Sequence, residues 1–182
     1  MRFPRATHLV VLVDSHPRQR WLKRALIKRL GEEFAKLGVE VNEEKSRIVN
    51  LEQREAFVFL GFQFRRKKSR TGKWMPLKIP DPKKRTALLR RLKKEFRNHR
   101  SQPVLRLVKR INMILRGWVN YFAIGNSSIC FSFVRQWVER KIRRHLARSR
   151  QRQGFGWKRW SREWLYEKLG LFNDYRVKYV RS

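Results

Sequence analysis

Residues 104–122 read VLRLVKRINMILRGWVNYF, and this stretch decides the fold. At about 100° per residue, Val104, Val108, Ile111, Leu115, Trp118 and Phe122 fall on one side of a helix, with Arg106, Lys109, Arg110 and Arg116 on the other. The same two-faced design flanks it on both sides. Upstream, Asp81-Pro82 offers an N-cap acceptor and a proline at the first helical position. The helix that follows, from Lys83 to about His99, puts Leu88, Leu89, Leu92 and Phe96 in one quadrant and Arg90, Arg91, Lys93, Lys94 and Arg97 opposite. Downstream, Gly125-Asn126-Ser127-Ser128 breaks the pattern, and a third helix from about Ile129 to Arg148 carries Phe133, Val134, Trp137, Val138, Ile142 and Leu146 inward. Three helices joined by short loops make a bundle.

Toward the N-terminus the periodicity changes. Leu9 to Val13 is a continuous aliphatic run, expected as a buried strand that ends at Asp14-Ser15-His16-Pro17. From Arg18 to Leu37, Trp21, Leu22, Ala25, Leu26, Leu30, Phe34 and Leu37 recur at helical spacing, with Gly38 as the C-cap. Val39, Val41, Ile48, Val49 and Leu51 suggest short strands around an Asn42-Glu43-Glu44 turn. Phe57 to Phe62 reads as another strand, with Gly61 marking a bulge or close approach. Arg65 to Lys73 reads as a charged hairpin tip containing Thr71-Gly72, and Trp74 to Ile79 as its returning strand. The fold class is therefore α+β: a small sheet with one packed helix, then a three-helix bundle.

Charge points to the partner. The 182 residues include 47 Lys or Arg and 14 Asp or Glu, a formal net charge of +33. Such an excess opposes compaction unless counter-charge is near, and a polyphosphate backbone is its natural source. Yet 41% of the residues are hydrophobic and 13% aromatic, which excludes a disordered basic tail. Residues 1–64 hold 12 basic and 8 acidic side chains, whereas residues 65–160 hold 30 basic and 3 acidic. A solvated face would mix its signs; these helix faces do not. A nucleic-acid surface is thus expected on Arg90, Arg91, Lys93, Lys94, Arg97, Arg106, Lys109, Arg110, Arg140, Lys141, Arg143 and Arg144, with Arg65 to Arg70 as a basic hairpin tip. Trp157 and Trp160, flanking Lys158-Arg159 after Gly154-Phe155-Gly156, are the candidates for base stacking.

Other chemistries find little support. The single cysteine, Cys130, excludes an intramolecular disulfide and a zinc site built on paired cysteines, and reads as a small core residue. His8, His16, His99 and His145 show no metal-ligand spacing and read as ordinary surface or partly buried histidines. The longest apolar run, Leu9 to Val13, is far too short to span a bilayer. No metal, cofactor or membrane is expected, and a reducing compartment, the bacterial cytoplasm first and an organelle second, is the expected location.

Three segments, in order, resemble the C-terminal part of group II intron reverse transcriptase/maturase proteins. Leu37-Gly38-Val39 with Asn42-Glu43-Glu44-Lys45-Ser46 is similar to the family's late-palm segment, a Leu-Gly-Leu followed by Asn-Pro-Glu-Lys-Thr. Phe57-Val58-Phe59-Leu60-Gly61-Phe62 is similar to its Phe-x-Phe-Leu-Gly-Phe strand. Arg116, Gly117, Trp118 and Tyr121 match the Arg-Gly-Trp-x-x-Tyr signature of the maturase-specific thumb, domain X.

The resemblance implies a palm remnant over 1–64, a basic hairpin or linker over 65–80, domain X over 81–160 and a C-terminal extension over 161–182. It implies structured group II intron RNA as partner, with DNA as a second candidate, because charge alone favours either.

A departure from the family sets the expectation for catalysis. Where the family places a Tyr-Ala-Asp-Asp turn before a Phe-Val-Val-like strand, this sequence reads Arg5-Ala6-Thr7-His8 before Leu9. Two-metal phosphoryl transfer needs carboxylates to hold ions about 3.5 to 4 Å apart. The chain is therefore expected to be no polymerase on its own, and to be a fragment without catalytic residues. Lys45 matches a family lysine tied to pyrophosphate departure, but without a metal site it reads as a surface or turn lysine. Asp14 follows the strand rather than preceding it, and reads as a helix cap. Trp118 and Phe122 read as core from their spacing with Leu115, and Tyr121 stays open between core and stacking. Three functions stay open: a maturase-type RNA-binding protein, the thumb side of a polymerase working with a separate upstream polypeptide, or a relic without function.

Overall fold

The computed structural model describes residues 9–14, 16–151, 153–154 and 156–178, so Arg5-Ala6-Thr7-His8 and Phe155 lie outside the described residues. The chain divides into two compact units, Met1–Glu55 and Ala56–Ser182.

In the first unit the expected helix forms as α1, Arg20–Lys36. Gly38 ends it as expected, at φ +62°, with Val39 N–H donating to Phe34 O (2.9 Å) and Gly38 N–H to Ala35 O (3.2 Å). This is the Schellman pattern that satisfies the last carbonyls. The helix is not packed as expected, since none of its described residues is buried and Trp21 is 66% exposed. Among the described residues the expected strands of this unit do not form either. Leu9 to Val13 stays exposed and outside any ladder, because an extended run forms a strand only against a neighbour that takes its backbone groups. Around Asn42 and Asn50 the backbone turns into 3₁₀ segments, Glu43–Lys45 and Leu51–Gln53. There Asn42 Oδ1 accepts from Lys45 N–H (3.0 Å) and Asn50 Oδ1 from Glu52 N–H (2.9 Å), local bonds that compete with a ladder. Asp14 Oδ1 accepts from His16 N–H (3.3 Å) ahead of α1, a turn contact rather than a helix cap.

The second unit opens with an antiparallel meander of β1 (Phe57–Phe59), β2 (Phe62–Lys68) and β3 (Trp74–Pro80). The run Phe57 to Phe62, expected as one strand, folds back on itself. Leu60 and Gly61 have φ +49° and +75°, the two positive values of a tight I′-type hairpin turn, and Phe59 pairs with Phe62. The β2–β3 hairpin closes through Ser69 N–H to Lys73 O (2.7 Å), with Gly72 at φ +80°. The sheet thus includes residues on both sides of position 64.

Three helices follow: α2 (Pro82–Asn98), α3 (Val104–Tyr121) and α4 (Ser128–Ser149). Asp81 caps α2 by accepting from Lys83 N–H (3.1 Å). Leu88 and Leu92 of α2, Leu107, Val108, Ile111 and Leu115 of α3, and Val134, Val138, Ile142 and Leu146 of α4 form the core. Arg85 lies 4.8 Å from the Phe133 ring near the starts of α2 and α4, while Phe96 meets Trp137 further along both, so these two helices run parallel. Ile129 and Phe133, the latter expected inward, are exposed.

The segment after α4 belongs to the same core. Trp160, Leu165, Leu169 and Leu171 are buried against the bundle. Asn112 of α3 clamps this strap with both halves of its amide, donating to Gly170 O (2.7 Å) and accepting from Phe172 N–H (2.8 Å). A second cluster of Phe62, Val119, Phe122 and Phe131 joins the sheet to α3 and α4.

Candidate nucleic-acid interface

The three acids among residues 65–160 are each used inside the fold. Asp81 is the cap of α2. Glu95 sits against His99, 3.5 Å away on the next turn. Glu139 is buried at the centre of a network, accepting from Arg162 Nε (3.0 and 3.2 Å) and Nη2 (3.3 Å) and from the Tyr166 hydroxyl (2.6 Å), with Arg143 Nη1 at 3.5 Å. Burial and the Glu139 carboxylate push the Tyr166 hydroxyl well above the usual tyrosine range. None of the three is thus left as an exposed acid among the cations of this block.

Two expected RNA-facing side chains are corrected by this network. Arg143 is 2% exposed, pairs with Glu139, donates from Nε to Trp160 O (2.8 Å) and lies 4.2 Å from the Trp157 ring. Burial, opposed by Glu139, lowers its pKa from the ordinary arginine value. Trp160 is also 2% exposed, because its indole fills the core rather than open solvent. Gly156, at φ +61°, gives it room: a Cβ there would lie 2.5 Å from the Trp160 ring. Trp157 is exposed. Glu139 was not singled out in the sequence, although an acid four residues before Arg143 in so basic a helix is the pattern of an internal pair.

The remaining expected residues are outward. Arg90, Arg91, Lys93, Lys94 and Arg97 on α2, Arg106, Lys109 and Arg110 on α3, and Arg140 and Arg144 on α4 are exposed, and Lys141 is half-buried. The structure brings one group of them together across two helices. Lys141 lies within electrostatic reach of Arg144 and Arg148 on its own helix and of Lys93 and Arg97 on α2. Partial burial first, then these four like charges, hold its ammonium below the ordinary lysine value. Lys141 also stands 5.3 Å from the Trp137 ring, and Trp137 meets Phe96 at 6.4 Å, so aromatic packing fixes the base of this cationic seam. Arg148 was missed as a site residue, though Lys141, Arg144 and Arg148 follow a one-face helical spacing. Arg106, Lys109 and Arg110 form their own stripe opposite the buried side of α3.

The family-motif residues divide between packing and surface. Trp118 is half-buried between the two clusters, 4.6 Å from the Phe122 ring and 5.9 Å from Phe131. Tyr121 is exposed, stacks on Phe62 at 6.0 Å and donates its hydroxyl to Leu60 O (2.8 Å), holding the β1–β2 turn. Arg116 and Gly117 are exposed. Cys130 is half-buried, and burial raises its thiol pKa against the pull of Arg85. Among the described residues no His, Cys, Asp and Glu gather into a metal-sized group, and no helix is long and apolar enough to cross a membrane.

No curated protein matches the chain. Residues 85–166, which run from the first turn of α2 through the Glu139 network to Tyr166, match the family model described as "Group II intron, maturase-specific domain". The three-helix bundle, with the Arg116-Gly117-Trp118 turn of α3, therefore lies within a region similar to the group II intron maturase-specific domain.

Proposed function

We propose that this chain binds the structured RNA of a group II intron and assists its folding and splicing, with the RNA performing the chemistry and the protein supplying counter-charge. One observation carries the reading: Asp81, Glu95 and Glu139 are spent on the fold while Lys93, Arg97, Lys141, Arg144 and Arg148 crowd one seam. Crowded cations repel, and a phosphodiester backbone relieves that repulsion while releasing its own counterions. Intron RNA presents A-form helices, which proteins read through shape, phosphates and 2′-hydroxyls.

The test is a salt titration with folded intron RNA. Six to ten phosphate contacts give a slope of log K against log salt of about −4 to −9. Replacing Arg97 and Arg144 by Gln should flatten that slope by about 1 to 2 units and weaken binding across RNA sequences. A nearly flat salt dependence, or a preference for duplex DNA, would overturn the reading.

A second reading has its own support. Trp21, Ile27, Leu37, Val39 and Val41 of the first unit are exposed apolar side chains, the kind of surface another polypeptide covers. On this reading the chain is the thumb side of an RNA-directed DNA polymerase, active only beside a separate polypeptide bearing the metal-binding carboxylates. Both readings expect the purified chain to extend no primer with template, Mg²⁺ and nucleotides. Restoration of extension by an added palm polypeptide would select the second.

A further inference from the structure

The β2–β3 hairpin carries a cationic surface different in kind from the helical seam. Between Ala56 and Pro80 the sequence has seven Lys or Arg and no Asp or Glu. Antiparallel pairing places alternate residues on one face, so Phe62, Phe64, Arg66 and Lys68 of β2 share a face with Trp74, Pro76 and Lys78 of β3. Rings and cations alternate along it. The Arg66 guanidinium and the Lys68 ammonium each lie 5.6 Å from the centre of the Trp74 ring, which is 39% exposed. Lys78 Nζ lies 4.4 Å from the Phe62 ring and 6.0 Å from Phe64, and Phe64 stacks on Phe57 at 5.0 Å, nearly parallel at 9°.

This strip is held rigidly on the unit. The backbone of Lys78 donates to Asn126 Oδ1 (3.0 Å) and accepts from Asn126 N–H (2.7 Å). The loop approaches so closely that a Cβ on Gly125 would lie 2.6 Å from Lys78 O. At the other edge Phe62 packs edge-on against Phe122 of α3 at 4.9 Å. A preformed platform loses little ordering entropy on binding.

Cations alone would serve any phosphate. An accessible indole between two of them adds something a duplex cannot use, because the π-faces of paired bases are already stacked on their neighbours. An unpaired strand offers both a free base face and flexible phosphates, the two features such platforms take. We propose that this face of the hairpin is a binding site for an unpaired stretch of RNA, with Trp74 stacking on a base and Arg66, Lys68 and Lys78 holding the flanking phosphates. The choice of RNA over DNA rests on the function proposed above; the preference for unpaired over paired nucleic acid rests on the hairpin itself.

The test uses the full chain and a fluorescent single-stranded RNA of about 12 nucleotides, within the usual range of single-strand sites. A central 2-aminopurine reports stacking, and the same RNA annealed to its complement is the control. Trp74→Ala should weaken single-strand binding about tenfold and abolish the 2-aminopurine quench. Duplex binding should stay within about twofold, and Trp74→Phe should restore most of the loss. Arg66→Gln with Lys68→Gln, which keeps the indole, should weaken the single strand and reduce its salt dependence. Equal losses on single strand and duplex, or none on either, would overturn the site. A wild-type chain that binds duplex but not single strand would overturn this inference alone, and one that binds neither would overturn the proposed function as well. Tighter binding of a DNA strand of the same sequence would overturn the commitment to RNA.

Discussion

Helices α1 and α3 are both two-faced in sequence, yet only one of them is buried. In α3, Leu107, Val108, Ile111, Leu115 and Val119 are sealed in the core. In α1, Leu22, Leu26, Leu30 and Phe34 occupy the equivalent face and none is buried. Periodicity chooses which side of a helix would face a partner, and burial requires that the partner be there. The charges differ in the same way. On α1 the acids are outside, with Glu33 accepting from Lys36 (3.1 Å) and pairing with Arg29 (3.0 Å). In the second unit Asp81 and Glu139 are buried and Glu95 is half-buried, whereas Glu163, Glu167 and Asp174, beyond the bundle's three helices, are exposed. The helix of the first unit pairs its acids with bases at the surface; the three-helix bundle of the second draws its acids into the fold.

The largest expected effect compares two glutamates. Glu139→Ala would strand the buried Arg143 and remove the acceptor of Arg162 and Tyr166. Breaking a buried pair on one side costs about 3 to 5 kcal/mol. Glu33→Ala removes only exposed pairs, worth about 0 to 1 kcal/mol. Urea denaturation of both variants checks this, and equal costs would erase the contrast between inward and outward acids.

A pair of leucines comes next. Leu115→Ala should cost about 2 to 5 kcal/mol, through lost burial and the cavity left behind. Leu26→Ala on α1 should stay within about 1 kcal/mol, since a partly exposed site leaves no cavity. A large cost at Leu26 would mean that α1 is packed after all.

The parts legible in the sequence were those with local causes. Asp81-Pro82 and Gly38 mark helix ends because caps are chemistry within a few residues, and the ends of α2, α3 and α4 fall within about two residues of their expected places. What failed depended on distant partners or on rare backbone states. Leu9 to Val13 has strand composition but no ladder. The turn at Leu60-Gly61 was hidden in an apolar run because leucine rarely takes positive φ, and the hydroxyl that steadies it comes from Tyr121, 61 residues away. For the site, residue type identified the exposed cations of α2, α3 and α4 but not the burial of Arg143 and Trp160. An arginine in a basic helix looks the same whether it meets solvent or Glu139. The packing of residues 161–178 into the core was equally invisible, since the Asn112 clamp joins positions about sixty residues apart.

The smallest expected effect is a pH dependence confined to the bundle. His145 lies on α4 between the core and the cationic seam, its ring 6.1 Å from Phe96. Burial first, then the charge of Arg148, holds its pKa below the ordinary histidine value. The folded form thus resists a proton that the unfolded chain accepts near about pH 6.5. Once the pH falls below that value the unfolded state binds more protons, so stability is lost on acidification down to the lowered folded pKa and is intact above it. His145→Gln removes the titration while keeping a polar side chain. From about pH 7.5 to 5.5 the wild-type chain should lose on the order of 2 °C more in melting temperature than the variant. Parallel curves would mean that His145 takes its proton without opposition, and that the seam beside it is already neutralised in the folded chain.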